Sequence, residues 1–130
     1  MEIQNQEKKL STCETMIMKL IWDADGDISV QKLIVEIRER YGKDYARTTV
    51  VTFVKKLLDK GYVSTYRVGR ASFVHPEKDE YQYKQRLMNE ATDFWFEGKP
   101  SALLSAVCSG REVPEEEILE LRKVLDSLGK

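Results

Sequence analysis

The amino-acid sequence predicts a mainly α-helical chain with a small antiparallel β-sheet, an α+β fold. Six stretches carry apolar residues at three- and four-residue spacing, the period of a helix with one buried face. Two short runs rich in valine, threonine and aromatic residues flank one glycine-containing connection near the middle of the chain, which is typical of a β-hairpin. Glycine and proline separate most of these stretches, so the predicted elements are short.

Composition limits the class of protein. The chain has 130 residues, of which 42% are hydrophobic and 33% charged, and this suits one compact domain or a small domain with an appendage. No apolar run approaches the roughly 18 residues of a membrane span, and the polar start MEIQNQEKK does not resemble a signal peptide. We therefore expect a cytoplasmic protein without membrane insertion. Cys13 and Cys108 lie on apolar helical faces, so we expect reduced, buried thiols and no disulfide.

The first predicted helix has a recognisable beginning and end. Ser11 and Glu14 form the S-x-x-E pattern, in which both side chains bond amides of the first turn. An apolar stripe follows, and its members are Cys13, Met16, Ile17, Leu20 and Ile21. Residues 23–27 form an acidic cluster that we interpret as a turn, because the twelfth position of a calcium loop starting there is Ile34 and not glutamate.

A short strand at Ile28 and a second helix are predicted next. Ser29 is a good N-cap for this helix, and Gly42 is a good stop. The residues predicted to point inward are Val30, Leu33, Ile34, Ile37 and Tyr41.

The central predicted helix, residues 45–60, has two different faces. The buried face consists of Val50, Phe53, Val54 and Leu57. The outward face is small, hydroxylated and charged, and consists of Thr48, Thr52, Lys55 and Asp59. The helix is predicted to end near Lys60, because Gly61 can enter the left-handed conformation that closes the last turn.

Two strand-like runs follow, Val63–Arg67 and Ala71–His75, around the connection Val68-Gly69-Arg70. The order of elements is helix, helix, turn, helix and hairpin. This order is the plan of a winged helix-turn-helix head.

Positive charge is concentrated in this head. The segment from Arg38 to Arg70 contains nine basic and three acidic side chains. Its net charge is therefore +6, whereas the net charge of the whole chain is −1. The nine are Arg38, Arg40, Lys43, Arg47, Lys55, Lys56, Lys60, Arg67 and Arg70. Such a patch attracts phosphate backbones by counterion release, and neighbouring threonines and arginines can reach base edges. A solvated amphipathic helix is the alternative, and the arginines of the hairpin favour DNA over it.

The C-terminal part has a different character. Residues 79–130 hold 7 basic and 11 acidic side chains, which disfavours contact with DNA and favours contact with protein. Three helices are predicted, from Lys78 to about Glu97, over Ala102–Cys108, and from Pro114 at the first helical position. Their wide apolar faces predict an oligomerisation region, and folding back on the head is the alternative. The predicted dimerisation residues are Leu87, Phe94, Trp95, Leu103, Leu104, Ile118, Leu121, Leu125 and Leu128.

Catalytic and metal-binding patterns are weak. His75 precedes Pro76 and has no cysteine or acidic partner at ligand spacing, so a structural or solvated imidazole is the preferred interpretation. No phosphate loop, nucleophile elbow or carboxylate pair is present. We therefore predict no catalytic residue, no metal, no cofactor and no enzyme activity.

Three stretches resemble a known family: LSTCETMIMKLIW, ARTTVVTFVKKLLDKGYV with YRVGRASFVHP, and EEEILELRKVL. They are similar to the penicillinase and methicillin-resistance repressors of the BlaI/MecI type and to their copper-responsive CopY relatives. The resemblance implies a bacterial repressor whose winged-helix head, residues 1–77, binds an inverted-repeat operator and whose helical region, 78–130, forms a homodimer. It also places a base-reading helix at Thr48–Leu58. The DNA-binding residues, from charge and resemblance together, are Arg47, Thr48, Thr49, Thr52, Lys55, Lys56, Arg67 and Arg70.

Two departures from the family pattern concern the inducing signal. Copper-responsive members carry a repeated C-terminal CxC, whereas this chain ends LDSLGK after Cys108, so copper sensing is not expected. The resemblance also implies a regulatory protease that cuts an Asn-Phe bond in the tail, and the corresponding pair here is Ala106-Val107. The sequence leaves the signal open.

Two other classes stay in competition. A winged-helix protein-interaction module without DNA affinity is disfavoured by Thr48, Thr52 and Lys55. A thiol- or metal-responsive regulator that uses Cys13 and Cys108 is disfavoured by their apolar settings.

Overall fold

Six helices and three short strands follow one another along residues 8–129, the part of the chain that the computed structural model describes. Most of the polar start and Lys130 lie outside the described residues. The elements are α1 (Thr12–Asp23), β1 (Ile28–Ser29), α2 (Val30–Tyr41), α3 (Arg47–Asp59), β2 (Val63–Val68), β3 (Ala71–Pro76), α4 (Glu80–Phe96), α5 (Pro100–Ser109) and α6 (Glu115–Leu128). The predicted fold class, mainly α with a small β wing, is confirmed.

Local capping chemistry sets the ends of the first helices as predicted. The Ser11 hydroxyl accepts a hydrogen bond from the Glu14 amide at 3.2 Å, and the Glu14 carboxylate accepts one from the Ser11 amide at 3.0 Å. At the start of α2, the Ser29 hydroxyl accepts from the Lys32 amide at 3.0 Å. Gly42 ends α2 in the left-handed region at φ +69°, where a side chain would be strained.

The core of the head lies between α1, α2, α3 and one side of the sheet. Its buried members are Ile17, Met18, Leu20, Ile21, Ile28, Val30, Leu33, Ile37, Val50, Val54, Leu57, Tyr62, Val63 and Val74. The predicted stripe of α1 needs a correction: Met18 is fully buried, whereas Cys13 and Met16 are half-buried. Because α1 packs against α2, α3 and β3 together, its buried face is wider than one stripe.

Tyr62 is a core residue that the sequence prediction missed. Its side chain is buried at 1% exposure, and its hydroxyl donates to the carbonyl of Lys8 at 2.8 Å. The ring of Tyr83 lies edge-on to it, with centroids 6.0 Å apart. An aromatic residue after a helix-ending glycine carries no periodic signal, so only the tertiary structure reveals this position.

The three strands form an antiparallel sheet in the order β1-β3-β2, so that β3 is central. Each hairpin strand is one residue longer than predicted, and the connection has two residues, Gly69 and Arg70, instead of three. Gly69 has φ +61°, and a glycine at the first position of a two-residue loop suits the twist of a hairpin. We call this hairpin the wing.

The described chain divides into two compact units, Met1–Tyr83 and Lys84–Lys130, and the boundary falls within α4. The predicted functional boundary after residue 77 stays a prediction. In the second unit, Thr92 is buried at 6% exposure, and no apolar side chain of residues 84–129 is buried.

The C-terminal helices differ slightly from their predicted limits. Asp79 accepts a hydrogen bond from the Gln82 amide at 2.9 Å, so α4 begins at Glu80 rather than Lys78. Pro114 precedes α6 instead of occupying its first helical position, because its backbone is extended at ψ 154° and its carbonyl accepts the first helical bonds. None of the helices within residues 8–129 has the length and apolar character required to cross a membrane.

Candidate nucleic-acid interface

Helix α3 separates an apolar inner face from a polar outer face. Val50, Val54 and Leu57 are buried at 0–5% exposure, which fixes the rotation of the helix on the head. The opposite face is exposed along its first nine residues, and its members are Arg47, Thr48, Val51, Thr52 and Lys55. These residues are three, four or one apart, so they form one continuous surface. We call this surface the outer face of α3.

Both ends of α3 are held against α1. Before the helix starts, the Tyr45 hydroxyl lies 3.7 Å from the Cys13 sulfur, and the Tyr45 ring packs on Phe53 with centroids 5.8 Å apart. After the helix ends, the Lys60 ammonium donates to Glu14 Oε1 at 2.6 Å. The outer face is therefore presented by a helix whose position is fixed at both ends.

Glu14 is a buried carboxylate at 3% exposure. Burial raises its pKa, but the hydrogen bond from Lys60, the bond from the Ser11 amide and the positive charge of Lys60 and Lys56 outweigh burial, and the pKa is lowered. The carboxylate is thus charged in the folded head at neutral pH. It neutralises the charge of Lys60, the cation that follows α3.

The threonines of the outer face differ in their hydrogen bonds. Thr52 Oγ1 donates to the Thr48 carbonyl at 2.9 Å, so its hydroxyl proton is engaged within the helix and its oxygen can still accept. Thr48 is exposed. Thr49 is half-buried and lies beside the inner face, whereas the other seven predicted DNA-binding residues are exposed. The structure thus brings Thr48 and Thr52 together and sets Thr49 to one side.

Ion pairing divides the basic residues of the head into two groups. Lys19 pairs with Asp23 at 3.1 Å and Glu80 at 2.7 Å, and Arg40 pairs with Asp23 at 2.9 Å. Across residues 8–129, no carboxylate forms an ion pair with the five predicted DNA-binding cations, Arg47, Lys55, Lys56, Arg67 and Arg70. Unpaired surface cations can exchange solvent for phosphate without first breaking an internal ion pair.

Lys56 points toward one flank of α3. Its ammonium lies 5.9 Å from the centroid of the Phe53 ring, a cation–π contact that draws it away from the line of Thr48, Thr52 and Lys55. Its side chain is exposed. Lys56 therefore lies on the flank of α3 and not on the line of Thr48, Thr52 and Lys55.

The wing carries Arg67 near the end of β2 and Arg70 in the turn, both exposed. Next to Arg67 on β2, Tyr66 stacks on its cross-strand partner Phe73, with centroids 5.6 Å apart and planes 13° from parallel. This pair stiffens the hairpin that presents the two arginines.

Asp27 joins the wing to the start of β1. One oxygen accepts from the Tyr66 hydroxyl at 2.6 Å and the other lies 2.7 Å from His75 Nδ1. Asp27 is an acidic partner of His75 that no local spacing in the sequence indicates, because it lies 48 residues away and antiparallel pairing of β1 with β3 brings it close. Asp27 raises the pKa of His75 and of Tyr66, and their hydrogen bonds lower the pKa of Asp27.

The two cysteines belong to different units, Cys13 to the first and Cys108 to the second. Both thiols are free and half-buried, rather than buried as predicted. Within residues 8–129, no group of three His, Cys, Asp or Glu side chains could hold a metal ion. The acidic stretch 23–27 uses Asp23 and Asp27 for ion pairs and hydrogen bonds within the head.

The second unit exposes large apolar side chains. Phe94, Trp95 and Leu128 are exposed by 74%, 71% and 75%, and Leu87 and Leu125 by 44% and 53%. The remaining predicted dimerisation residues are half-buried, namely Leu103, Leu104, Ile118 and Leu121. Exposed residues that the prediction did not include are Met88, Val107, Leu119 and Val124. Large exposed apolar patches are typical of interaction surfaces in general.

Comparisons with known proteins identify relatives of this chain in sequence and in fold. The family model described as penicillinase repressor matches residues 10–127. The penicillinase repressor of Bacillus licheniformis is 23% identical over 118 residues, which cover 91% of this chain and 90% of the relative. The solution structure of the DNA binding domain of the repressor BlaI is similar at a TM-score of 0.50 and 26% identity, covering 64% of this chain and 94% of that domain. A complex structure of hsRosR-S1 covers 92% of both chains at a TM-score of 0.52 and 11% identity, and shows likeness of fold alone.

Proposed function

The chain belongs to the penicillinase repressor family, and we propose that it is a DNA-binding transcriptional repressor that acts as a homodimer on an inverted-repeat operator. The observation that carries the proposal is the outer face of α3, where two unpaired cations, Arg47 and Lys55, flank the hydroxyls of Thr48 and Thr52. A helix with this surface fits the major groove, with cations for phosphates and hydroxyls for base edges. The family is a class of repressors and not of enzymes.

We assign the two activities to different parts of the chain. In this proposal residues 1–77 bind DNA and residues 78–130 hold two copies together. The apolar side chains exposed on α4, α5 and α6 support a second copy as the partner, because a two-fold symmetric dimer presents two heads to two half-sites of opposite direction. The regulatory protease implied by the resemblance would act on this tail, where Ala106 and Val107 are exposed on α5. A protease can cut a peptide bond within a helix only after that part of the helix has unfolded locally.

The proposal can be tested without knowledge of the natural operator. The intact chain is used to select duplexes from a random-sequence library, and the selected duplex is then titrated with protein in a gel-shift assay at two salt concentrations. We expect an enriched sequence with two inverted half-sites and an affinity that falls as salt rises. Enrichment of a single unrepeated site would contradict the homodimer, and no enrichment would contradict the repressor.

Two substitutions test whether α3 enters the groove. Thr52→Ala should weaken binding to the selected duplex by about 1–3 kcal/mol because the lost contact reads a base. Lys55→Ala should also weaken binding, because it removes a contact to a phosphate. The fold should survive because both side chains are exposed. Thr15→Ala is a matched control, because Thr15 makes the same hydroxyl bond to the carbonyl four residues earlier, at 2.8 Å on α1. Parental affinity in both α3 variants would place another surface on the DNA.

A further inference from the structure

Val51 is an aliphatic side chain in the middle of the outer face of α3. It is 44% exposed, and it lies four residues after Arg47, three after Thr48 and four before Lys55. On a helix these three residues are its direct surface neighbours. Single exposed apolar residues are common on protein surfaces, but this one is enclosed by the groups assigned to the DNA.

Val51 is not part of the hydrophobic core of the head. The core and the half-buried apolar residues packed against it include Val50, Phe53 and Val54, but not Val51. Val50 and Val54 are buried at 0% and 5% exposure and already fix the rotation of α3. The isopropyl group of Val51 is therefore exposed on the outer face and is not part of the core.

The chemistry of the major groove identifies what such a group can recognise. Base edges present hydrogen-bond donors and acceptors, and the one apolar group among them is the C5 methyl of thymine. An isopropyl group placed against a donor or acceptor would displace water without replacing its hydrogen bond. Against a thymine methyl, it buries apolar surface on both partners.

We propose that Val51 is a specificity-determining residue that reads the C5 methyl group of one thymine in each operator half-site. This inference rests on the proposed function, because it requires the outer face of α3 to lie in the major groove. The neighbouring hydroxyls of Thr48 and Thr52 then meet the adjacent bases, and Arg47 and Lys55 lie at the rim near phosphates. In this proposal, recognition of thymine depends on the side chain that this chain carries at position 51.

Removing the methyl group from the DNA tests the proposal directly. In the duplex selected by the intact chain, each thymine of the half-site is replaced in turn by deoxyuridine, which lacks only the methyl group. We expect one position at which the replacement weakens binding roughly three- to tenfold, the effect of about one buried methyl or slightly more. In Val51→Ala, the same replacement should change affinity less than about 1.5-fold.

Two further variants separate the contact from indirect effects. Val51→Thr keeps one methyl group and should keep part of the uracil sensitivity. Val124→Ala makes the same truncation at a valine of similar exposure, 56%, on α6, outside the proposed DNA-binding face, and should leave the uracil sensitivity as in the parent. Circular dichroism checks that α3 stays helical, which alanine favours.

The outcomes distinguish this inference from the proposed function. If the protein binds a selected duplex but tolerates uracil at every thymine, or if Val51→Ala keeps the full uracil sensitivity, the role of Val51 is wrong and the repressor assignment stands. If the intact chain enriches no duplex, the repressor assignment fails and the role of Val51 fails with it.

Discussion

Single residues that join distant segments determine how rigidly the head is built. Glu14 accepts from the Ser11 amide at the start of α1 and from Lys60 after α3, and Lys60 also donates to the Lys9 carbonyl at 2.7 Å. One carboxylate thus connects the N-terminal segment, α1 and the end of α3. Removing one partner of such a buried ion pair destabilises the fold by more than the pair itself stabilises it, because the remaining charge is left buried without compensation.

Glu14→Gln should destabilise the head by about 1–3 kcal/mol, because Lys60, at 25% side-chain exposure, would lose its counter-charge. The pKa of Glu14 is lowered from its ordinary value of 4.5, so its contribution is present above about pH 4.5 and is lost as pH falls through the folded pKa. Urea unfolding from pH 7 to pH 3 measures this. The parent should lose stability more steeply below pH 4.5 than the variant, and parallel curves would contradict the role of Glu14.

His75 gives a second pH-dependent signal, which is simple to measure because the chain has one histidine. Its pKa is raised above 6.5 by the hydrogen bond to Asp27. The resulting stabilisation is present below pH 6.5 and is lost as pH rises through the folded pKa. An NMR titration of the imidazole should show the raised pKa, and Asp27→Asn should lower it toward 6.5. Asp25→Asn, two residues away in the same turn, should leave it unchanged. An unaltered pKa in Asp27→Asn would mean that the pair does not exist in solution.

At the scale of elements, the predicted DNA-binding residues lie on α3 and the wing. We expect these two elements to contribute differently to DNA binding. Arg70 occupies the two-residue turn at the tip of the wing, where an exposed cation most often meets phosphate. Arg70→Ala should therefore weaken binding to selected and random duplexes alike, and the slope of log affinity against log salt should shrink by about one. Arg111→Ala, an exposed arginine between α5 and α6, serves as the control. A loss confined to one base pair would instead mean that the wing reads sequence.

Elements with local signals could be predicted from the sequence. The S-x-x-E box of Ser11 and Glu14, the left-handed Gly42 and the periodicity of α3 each depend on residues within one or two turns, so the fold class followed from them. The bonds from Tyr62 to Lys8 and from Asp27 to His75 span 54 and 48 residues, and no local pattern contains them. Val51 was missed for a related reason: periodicity identifies a buried face, but it does not say which exposed side chains a partner will use.

At the scale of the whole molecule, the two units differ in how far they bury their apolar side chains. Among residues 8–83, fourteen hydrophobic side chains are buried in one core, whereas residues 84–129 leave Phe94, Trp95 and Leu128 more than 70% exposed. The first unit thus has the core of an independently stable domain, and the second requires a covering surface. In the proposed homodimer, self-association supplies that surface and, in the same step, brings two heads together.

Leu125→Asp tests the covering surface in the full-length chain. Leu125 is 53% exposed in the described unit, so a carboxylate there costs little in a monomer but would be buried and unpaired in a dimer. We expect sedimentation to show a shift toward monomer, with the thermal unfolding of the head largely preserved. Lys123→Asp, on the same helix at 74% side-chain exposure, should leave the dimer intact. Equal dimer fractions in Leu125→Asp and the parent would place the interface elsewhere.

Removal of Val107–Lys130 should leave a folded head that binds DNA poorly. The core residues all precede Pro76, so cooperative unfolding of the head should persist, while loss of α6 removes four of the nine apolar side chains assigned to the dimer. Two coupled heads raise each other's effective concentration at neighbouring half-sites, which is often worth a factor of about 10² to 10⁴ in apparent affinity. Sedimentation and gel-shift titration on the selected duplex measure both effects. A truncated chain that sediments as a dimer, or a monomer that binds the two-half-site duplex as tightly as the intact chain, would show that the helical tail does not couple the heads.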